Sequence, residues 1–461
     1  MDINEILVFL MFAAFIAALF TGYPVGYVLA GIGVWFTVVG WASDMWFGTL
    51  TGLDYVTLGL VVNRIYSIMN NWILVALPMF IFMGGMLHHS GVAERMMHAF
   101  QSLFGGMRGG LAVTVVVIGM ILAASTGIIG ASVVLLTVMS LPLMMRQGYA
   151  VPLATGAIAS AGTLGILLPP SIMLILMADQ VELSVGDMFV GAIYPGLLLG
   201  GMYIAYIVAL GLLRPQQMPL PEGAETPGWD ALWRVIKATM PAVFLIVAVL
   251  GSIFTSVATP TEASGIGAFG ALMLAAYYKR FSFRLLRETM METYKTTANI
   301  FAIFVGATCF AVVLRELGGD QVIEDGLSSL PFDKYGVVIF ILCVVFLLGF
   351  FLDWIEITLI ILPLMAPVVE GLGFGFDDHG ALDSPDLLWF VMLVAITLQT
   401  SFLTPPVGFA LFYMKSAAPP QVKITEIYRG VWPFVIIQLI VIALVVAFED
   451  LVILLPAQVY G

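Results

Sequence analysis

Two short stretches of this chain carry residue types that interrupt a membrane helix and place oxygen ligands at the gap. The first is Gly162-Thr163-Leu164-Gly165-Ile166-Leu167-Leu168-Pro169-Pro170-Ser171, and the second is Ser401-Phe402-Leu403-Thr404-Pro405-Pro406-Val407-Gly408. Proline has no N–H, so the carbonyl one turn earlier loses its helical partner, and glycine lets the backbone unwind beside it. Freed carbonyls and Ser/Thr hydroxyls are hard oxygen ligands suited to a small cation such as Na⁺. Two polar clusters in the middle of long apolar runs belong with these breaks: Ser125-Thr126-Gly127, and Asp353 with Glu356 and Thr358. An acid at membrane depth is expensive and marks function by default. Asp353 and Glu356 equally suit the N-terminus of the returning helix, where acids are favoured. Small residues in the first set would also permit close helix packing, but the matching second set favours a binding role.

The elements that must position these residues are membrane helices. The chain has 461 residues, of which 61% are hydrophobic and only 10% charged, against about 25% charged in a soluble domain. Apolar runs long enough to cross a bilayer recur from end to end, and Leu111–Met144 lacks the alternation of a transmembrane barrel strand. The fold class is therefore an all-α polytopic membrane protein. Cys309 and Cys343 lie in apolar runs and form no disulfide framework or zinc cluster, and the four histidines are too scattered for a metal or haem centre. A net charge of −12 argues against nucleic acid. The first apolar run, 6–20, lacks a basic flank and reads as a retained helix.

Runs 111–145 and 336–370 are too long for one crossing, and each has its polar cluster in the middle. Such a run is either a re-entrant hairpin, tolerated where its tip is buried in protein or faces water, or two spans with a tight loop. Basic residues exclude a single crossing. With both runs re-entrant and the N-terminus outside, fourteen of the 17 lysines and arginines are cytoplasmic and only Arg64, Arg315 and Lys334 are outside. A single crossing by either run would invert everything after it and destroy the bias. The same topology places 19 of the 29 acids outside, either as an acidic rim that docks a basic partner or as a by-product of the charge bias.

The chain also repeats one plan. Pro24 and Pro260 are 236 residues apart, as are Gly31 and Gly267, and Pro170 and Pro406. The hairpins end in Leu141-Pro142-Leu143-Met144 and Leu362-Pro363-Leu364-Met365. One copy starts outside and the other inside, so the repeats are inverted, and paired interrupted helices in inverted repeats point to a secondary transporter and its site. The predicted organisation is a first repeat over 1–213, with scaffold helices 6–90, hairpin 111–145 and broken helix 150–178. A cytoplasmic linker, 214–239, leads to a second repeat over 240–461, with scaffold helices 240–316, hairpin 336–370 and broken helix 387–414.

No Lys or Arg lies in 109–145, 149–178 or 336–414. An anionic cargo bound there must be held by helix N-termini, backbone N–H groups and hydroxyls, with cations supplying positive charge. The hydroxyls of Ser125, Thr126, Ser171, Thr358 and Ser401 are the candidate substrate contacts. Thr259-Pro260-Thr261-Glu262 reads as a capping box with proline at N1, with an ion-pathway role for Glu262 as the alternative. Segment 41–71, with Asp44, Asp54 and Arg64 among Trp41, Trp46, Tyr55 and Tyr66, reads as an interfacial helix bracing a scaffold.

The stretch Gly162–Ser171, Thr259-Pro260-Thr261-Glu262-Ala263 and Leu403-Thr404-Pro405-Pro406-Val407-Gly408, in this order, resemble the large membrane subunit (DctM type) of tripartite ATP-independent periplasmic, or TRAP, transporters. The resemblance covers essentially the whole chain. It implies an inner-membrane, Na⁺-coupled elevator transporter, in which hairpins and broken helices form a mobile domain, with no cofactor beyond the coupling ion. It also implies a small four-helix membrane subunit (DctQ type) as a separate chain and a soluble periplasmic substrate-binding protein (DctP type) that delivers an organic anion. Carried over residue by residue, the cation sites fall on Ser125, Thr126, Gly162, Thr163 and Gly165, and on Asp353, Thr404, Pro405 and Gly408. Many members have a Ser-Gly-Ser-like first tip, where this chain has Ala124-Ser125-Thr126-Gly127-Ile128-Ile129-Gly130. That departure looks closer to the branch associated with mannitol or chloroaromatic compounds, whose members often move organic acids. The alternatives are a stand-alone Na⁺-coupled divalent-anion symporter of related fold and, more remotely, a polytopic membrane enzyme.

Overall fold

The structure is a computed structural model that describes residues 3–126, 129–220, 228–376, 382 and 384–460, with side chains outside the described set at 123–126. The described residues form helices throughout and contain no strand. Nine helices among them are long and apolar enough to cross a membrane. The chain divides into two compact units, Met1–Leu74 with Lys295–Phe374, and Val75–Tyr294 with Gly375–Gly461. Each unit draws on both halves of the sequence.

The first unit contains α1 (Ile3–Leu19), α2 (Val25–Phe47), α3 (Tyr55–Met69) and the C-terminal part of a 34-residue helix that runs Phe283–Glu316. Phe12 and Phe15 of α1 pack on Phe310, with ring centroids 5.8 and 5.4 Å away. Gly26 and Gly306 bring α2 and the long helix so close that a side chain at either would strike the other's backbone. Segment 41–71 divides into the end of α2, a turn and α3. Asp44 accepts from Thr49 Oγ1 at 2.6 Å and from Thr51 N and Oγ1 at 2.8 Å. Asp54 then caps α3, accepting from Val56 and Thr57 amides, with Thr57 completing a capping box.

The run 336–370 also lies in this unit, as a helix, Lys334–Leu348, and a returning segment, Trp354–Leu372, whose residues Ile357–Ile361 are π-helical. Asp333 caps the outgoing arm through Gly336 N, and Asp353 caps the returning one through Trp354 N at 2.8 Å. Lys334 Nζ donates to the carbonyls of Gly373 and Phe374, fastening the end of the returning helix to the start of the outgoing one.

The second unit begins with α4 (Ala76–His89) and α5 (Val92–Phe104). It continues with the hairpin arms α6 (Gly110–Thr126) and α7 (Ile129–Arg146), then α8 (Val151–Thr163) and α9 (Ile172–Gln180). α10 (Val185–Leu213), α11 (Trp229–Phe254) and α12 (Pro260–Tyr277) follow. To keep numbering in chain order, the Phe283–Glu316 helix is α13, Gly319–Ser328 is α14, Lys334–Leu348 is α15, and the short helices Trp354–Glu356 and Leu362–Leu372 are α16 and α17. The second unit closes with α18 (Pro385–Leu403), α19 (Phe409–Ala417), α20 (Ile424–Ala447) and α21 (Asp450–Tyr460).

α8 and α18 form the centre of this unit. Every residue from Leu387 to Leu403 is buried, as a helix apolar all round requires. α8 packs against both hairpin arms and α20. Gly156 and Gly430 allow α8 and α20 to touch backbone to backbone, since a Cβ on either glycine would overlap the other helix's main chain. Gly119 sits under Ala161, where a Cβ would come within 2.7 Å of the alanine side chain. Trp389 Nε1 donates to Val445 O at 2.7 Å and fixes α18 on α20. Thr259 and Glu262 make the predicted capping box at the start of α12: Glu262 Oε2 accepts from Thr259 N at 2.8 Å, and Thr259 Oγ1 accepts from Glu262 N.

Candidate transport site

The first break falls where the residue types place it. α8 ends at Thr163, and the chain tightens into a 3₁₀ turn over Leu164–Ile166, so that Leu167 N and Leu168 N both donate to Leu164 O at 3.1 and 3.0 Å. In a continuing helix Pro169 and Pro170 would have to donate to Gly165 O and Ile166 O, and neither can. Ser171 Oγ takes over for Ile166, donating to its carbonyl at 2.6 Å. Every residue from Leu164 to Ser171 is buried. Gly162 presses against Val133 of α7, where a Cβ would meet the valine side chain at 2.5 Å. The sequence positions Gly162, Thr163, Gly165 and Ser171 are thus brought together in one enclosed gap.

The second break follows α18. Thr404 N still reaches Ser401 O at 3.1 Å, and Thr404 Oγ1 donates to Thr400 O at 2.7 Å. Pro405 and Pro406 then interrupt the ladder, and Gly408 restarts it at φ +36°, a backbone setting that disfavours a side chain. Tyr428 Oη of α20 donates to Pro406 O at 2.8 Å. Ser401, Thr404, Pro405 and Gly408 are therefore one local group. Both Pro-Pro peptide bonds are cis.

The two breaks meet through a residue that motif reading passed over. Gln399 Nε2 lies 3.5 Å from Thr163 Oγ1, which itself donates to Ser160 O at 2.9 Å. Gln399 and Thr163 are 236 residues apart, the offset that relates Pro170 to Pro406. Applying that offset to Thr163 would have found Gln399. Its side chain escaped notice because an amide inside an apolar helix matches no motif.

The remaining predicted positions lie elsewhere. Asp353, Glu356 and Thr358 belong to the first unit, at the start of the returning helix of its hairpin. Asp353 has the capping role described above. Glu356 is 3% exposed, the Thr358 hydroxyl is fully buried, and neither Glu356 Oε2 nor that hydroxyl has a hydrogen-bond partner among the described residues. The π-helical turn that follows is an irregularity often found at functional sites. Ser125 and Thr126 end α6, but their side chains, and Gly127 altogether, lie outside the described residues.

With this geometry in view, comparison with known proteins is specific. Residues 12–451 match the family model of the tripartite ATP-independent periplasmic transporter, DctM component. The chain is 28% identical over 401 residues to the C4-dicarboxylate TRAP transporter large permease protein DctM of Pseudomonas aeruginosa, covering 85% of this chain and 88% of that one. It is 25% identical to the isethionate TRAP transporter permease protein DctMQ of Oleidesulfovibrio alaskensis, over 90% of this chain and 64% of that longer one. Among solved structures, the Alcanivorax borkumensis YdaH transporter resembles it with a TM-score of 0.61 at 13% identity, covering 86% of this chain and 89% of that chain, a likeness of fold alone. A multi-pass helical protein, with paired helix breaks at one repeat offset and a family match spanning nearly its whole length, is a transporter permease and not an enzyme: the chain belongs to the DctM component family of TRAP transporters.

Proposed function

We propose that this permease imports an organic anion by secondary active transport coupled to Na⁺, across the bacterial inner membrane. The observation that carries the proposal is the pair of helix breaks in one unit, lined with oxygen atoms and free of lysine and arginine. Gly162, Thr163 and Gly165 would hold one cation with the tip residues Ser125 and Thr126. Thr404, Pro405 and Gly408 would hold a second. The hydroxyls of Ser125, Thr126, Ser171 and Ser401 would face the anion, whose charge the bound cations offset. The relatives named for C4-dicarboxylate and isethionate support an organic anion as the class of cargo.

The repeats 1–213 and 240–461, joined by 214–239, would be inverted, with re-entrant hairpins. The length of the outgoing arms supports re-entry, although the returning arms Ile129–Arg146 and Trp354–Leu372 are among the nine helices long enough to cross. The outgoing arms have 17 and 15 residues, or about 25 and 22 Å at 1.5 Å per residue, short of the ~30 Å hydrocarbon core. Transport would proceed by an elevator movement of the hairpins and broken helices against the other helices. The partners would be a small four-helix membrane subunit and a periplasmic substrate-binding protein. The relative named as a DctMQ permease is consistent with a second membrane component, and the acid-rich outer face of the predicted topology offers the binding protein a complementary surface.

The test of coupling uses the purified chain, titrated with NaCl or KCl at constant ionic strength and followed by the fluorescence of its nine tryptophans. A saturable response to Na⁺ alone is expected, and equal responses to the two salts would overturn the coupling. Proteoliposomes holding the permease, the small subunit and the binding protein should take up labelled organic acid only down a Na⁺ gradient. Uptake without the binding protein would instead favour a stand-alone symporter.

A further inference from the structure

Gln399 is fully buried, and its carbonyl oxygen Oε1 has no hydrogen-bond partner among the described residues. The orientation of its amide is not arbitrary. Thr163 has one hydroxyl proton, and that proton goes to Ser160 O. Thr163 Oγ1 can then only accept from Gln399, so the NH₂ group must face Thr163 and the carbonyl must face away. Turning the amide over would set the Gln399 carbonyl against an oxygen that has no proton left to give. The chain of donors, Gln399 to Thr163 to Ser160, therefore sets Oε1 as a buried acceptor left unpaired among the described residues. Leaving such an atom unpaired costs about 1–3 kcal/mol, so a native structure seldom keeps one without a use.

Position points to that use. Gln399 is five residues before Thr404 and bonded to Thr163, so it stands where the ends of α8 and α18 meet in the second unit. The 3₁₀ turn after Thr163 presents Gly165 O, the carbonyl that Pro169 cannot serve. A neutral carbonyl oxygen in a region without lysine or arginine is a cation ligand by chemistry, because it brings lone pairs but no charge to repel an accompanying anion.

We propose that Gln399 Oε1 is a ligand for a monovalent cation held at the junction of the two broken helices. This makes Gln399 a binding residue shared by both repeats, beyond the two separate sets centred on Thr163 and Thr404. The proposal rests on the cation-coupled reading above, and the experiment separates the two.

Wild type, Gln399→Met and Gln399→Glu are titrated with Na⁺, Li⁺ and K⁺ by tryptophan fluorescence, with thermal unfolding as a check that each variant folds. Methionine keeps the length of the side chain and removes the oxygen. Glutamate keeps the shape and adds negative charge. Losing a ligand to a charged partner predicts a rise in the Na⁺ midpoint of about tenfold or more for Gln399→Met. Gln399→Glu should bind Na⁺ at least as tightly as wild type, with discrimination among the three ions altered. Midpoints of both variants within twofold of wild type would overturn the ligand role and leave the coupling reading standing, with Oε1 bound to water. A Gln399→Glu variant that binds Na⁺ more weakly than wild type would also overturn it. A wild-type chain that distinguishes none of the three ions would overturn both readings together.

Discussion

The two broken helices share a Pro-Pro pair at one repeat offset, yet the fold treats them differently. The first break is wholly enclosed: Leu164 through Ser171 are buried, with hairpin arms α6 and α7 packed on the turn. The second opens at its centre, where Pro406 is exposed and its carbonyl is held by Tyr428 from outside. Their repair chemistry differs as well. A serine hydroxyl rescues the Ile166 carbonyl in the first, whereas the second relies on a glycine at positive φ and a threonine hydroxyl turned back onto its own helix. Proline thus determines that a helix stops, while the neighbours determine what the gap can hold and whether water reaches it.

The severest way to break the comparison is to push α8 and α20 apart. Gly156→Val or Gly430→Val places a branched side chain on backbone that has no room. Overpacking ordinarily costs about 1–3 kcal/mol, and more where main chain must move. Both variants should lose the monodisperse peak in detergent size-exclusion chromatography, and a wild-type profile would show that the contact can slide.

Next in size is the effect on ions. Thr163→Ala and Thr404→Ala each remove a hydroxyl at a break, and both should weaken Na⁺ activation of uptake by about tenfold if the hydroxyl meets a charged partner. Neither should change the amount of inserted protein on an immunoblot. Unchanged Na⁺ activation in both would refute the site assignment, and an effect at one alone would show that the breaks differ in role as well as in exposure.

A smaller effect separates the two repairs. Ser171→Ala strands a fully buried carbonyl, which costs about 1–3 kcal/mol and should lower the thermal midpoint clearly. Val407→Ala, at the matching offset, should lower it less, because Val407 is only partly buried. Equal shifts would mean that the serine bond contributes little.

The smallest change is expected for Tyr428→Phe. The bond to Pro406 O lies at the surface, and water replaces it at a net cost of about 0.5–1.5 kcal/mol or less. A thermal shift as large as that of Ser171→Ala would show that the second break is more enclosed in the membrane than its exposure suggests.

Much of this was legible in residues with strong local rules. Pro169, Pro170, Pro405 and Pro406 end their helices where expected, because no neighbour can supply a missing N–H. Thr259 and Glu262 form the predicted capping box because both partners lie within one turn. Segment 41–71 required more than composition. Its exposed aromatic residues suggested an interfacial element, but the Asp44 turn and the α3 cap divide it into two parts that hydropathy alone does not separate.

Gln399 marks the other limit. Its chemistry depends on a residue 236 positions away, and only the meeting of α8 and α18 makes it polar company for Thr163. The division into units was hidden for the same reason. Repeats are read along the chain, whereas each unit collects helices from both halves.

By itself the sequence determined that this chain is a multi-pass helical membrane protein, where its helices break at paired prolines, and which family it belongs to. Those properties follow from hydropathy, from backbone chemistry within one turn and from motifs in order. Only the tertiary structure decided that the two breaks meet within one unit, that one is sealed and the other open, and that an unmatched glutamine oxygen lies at their junction. Burial and hydrogen-bond satisfaction depend on what distant segments bring to the same point, and no local rule encodes that.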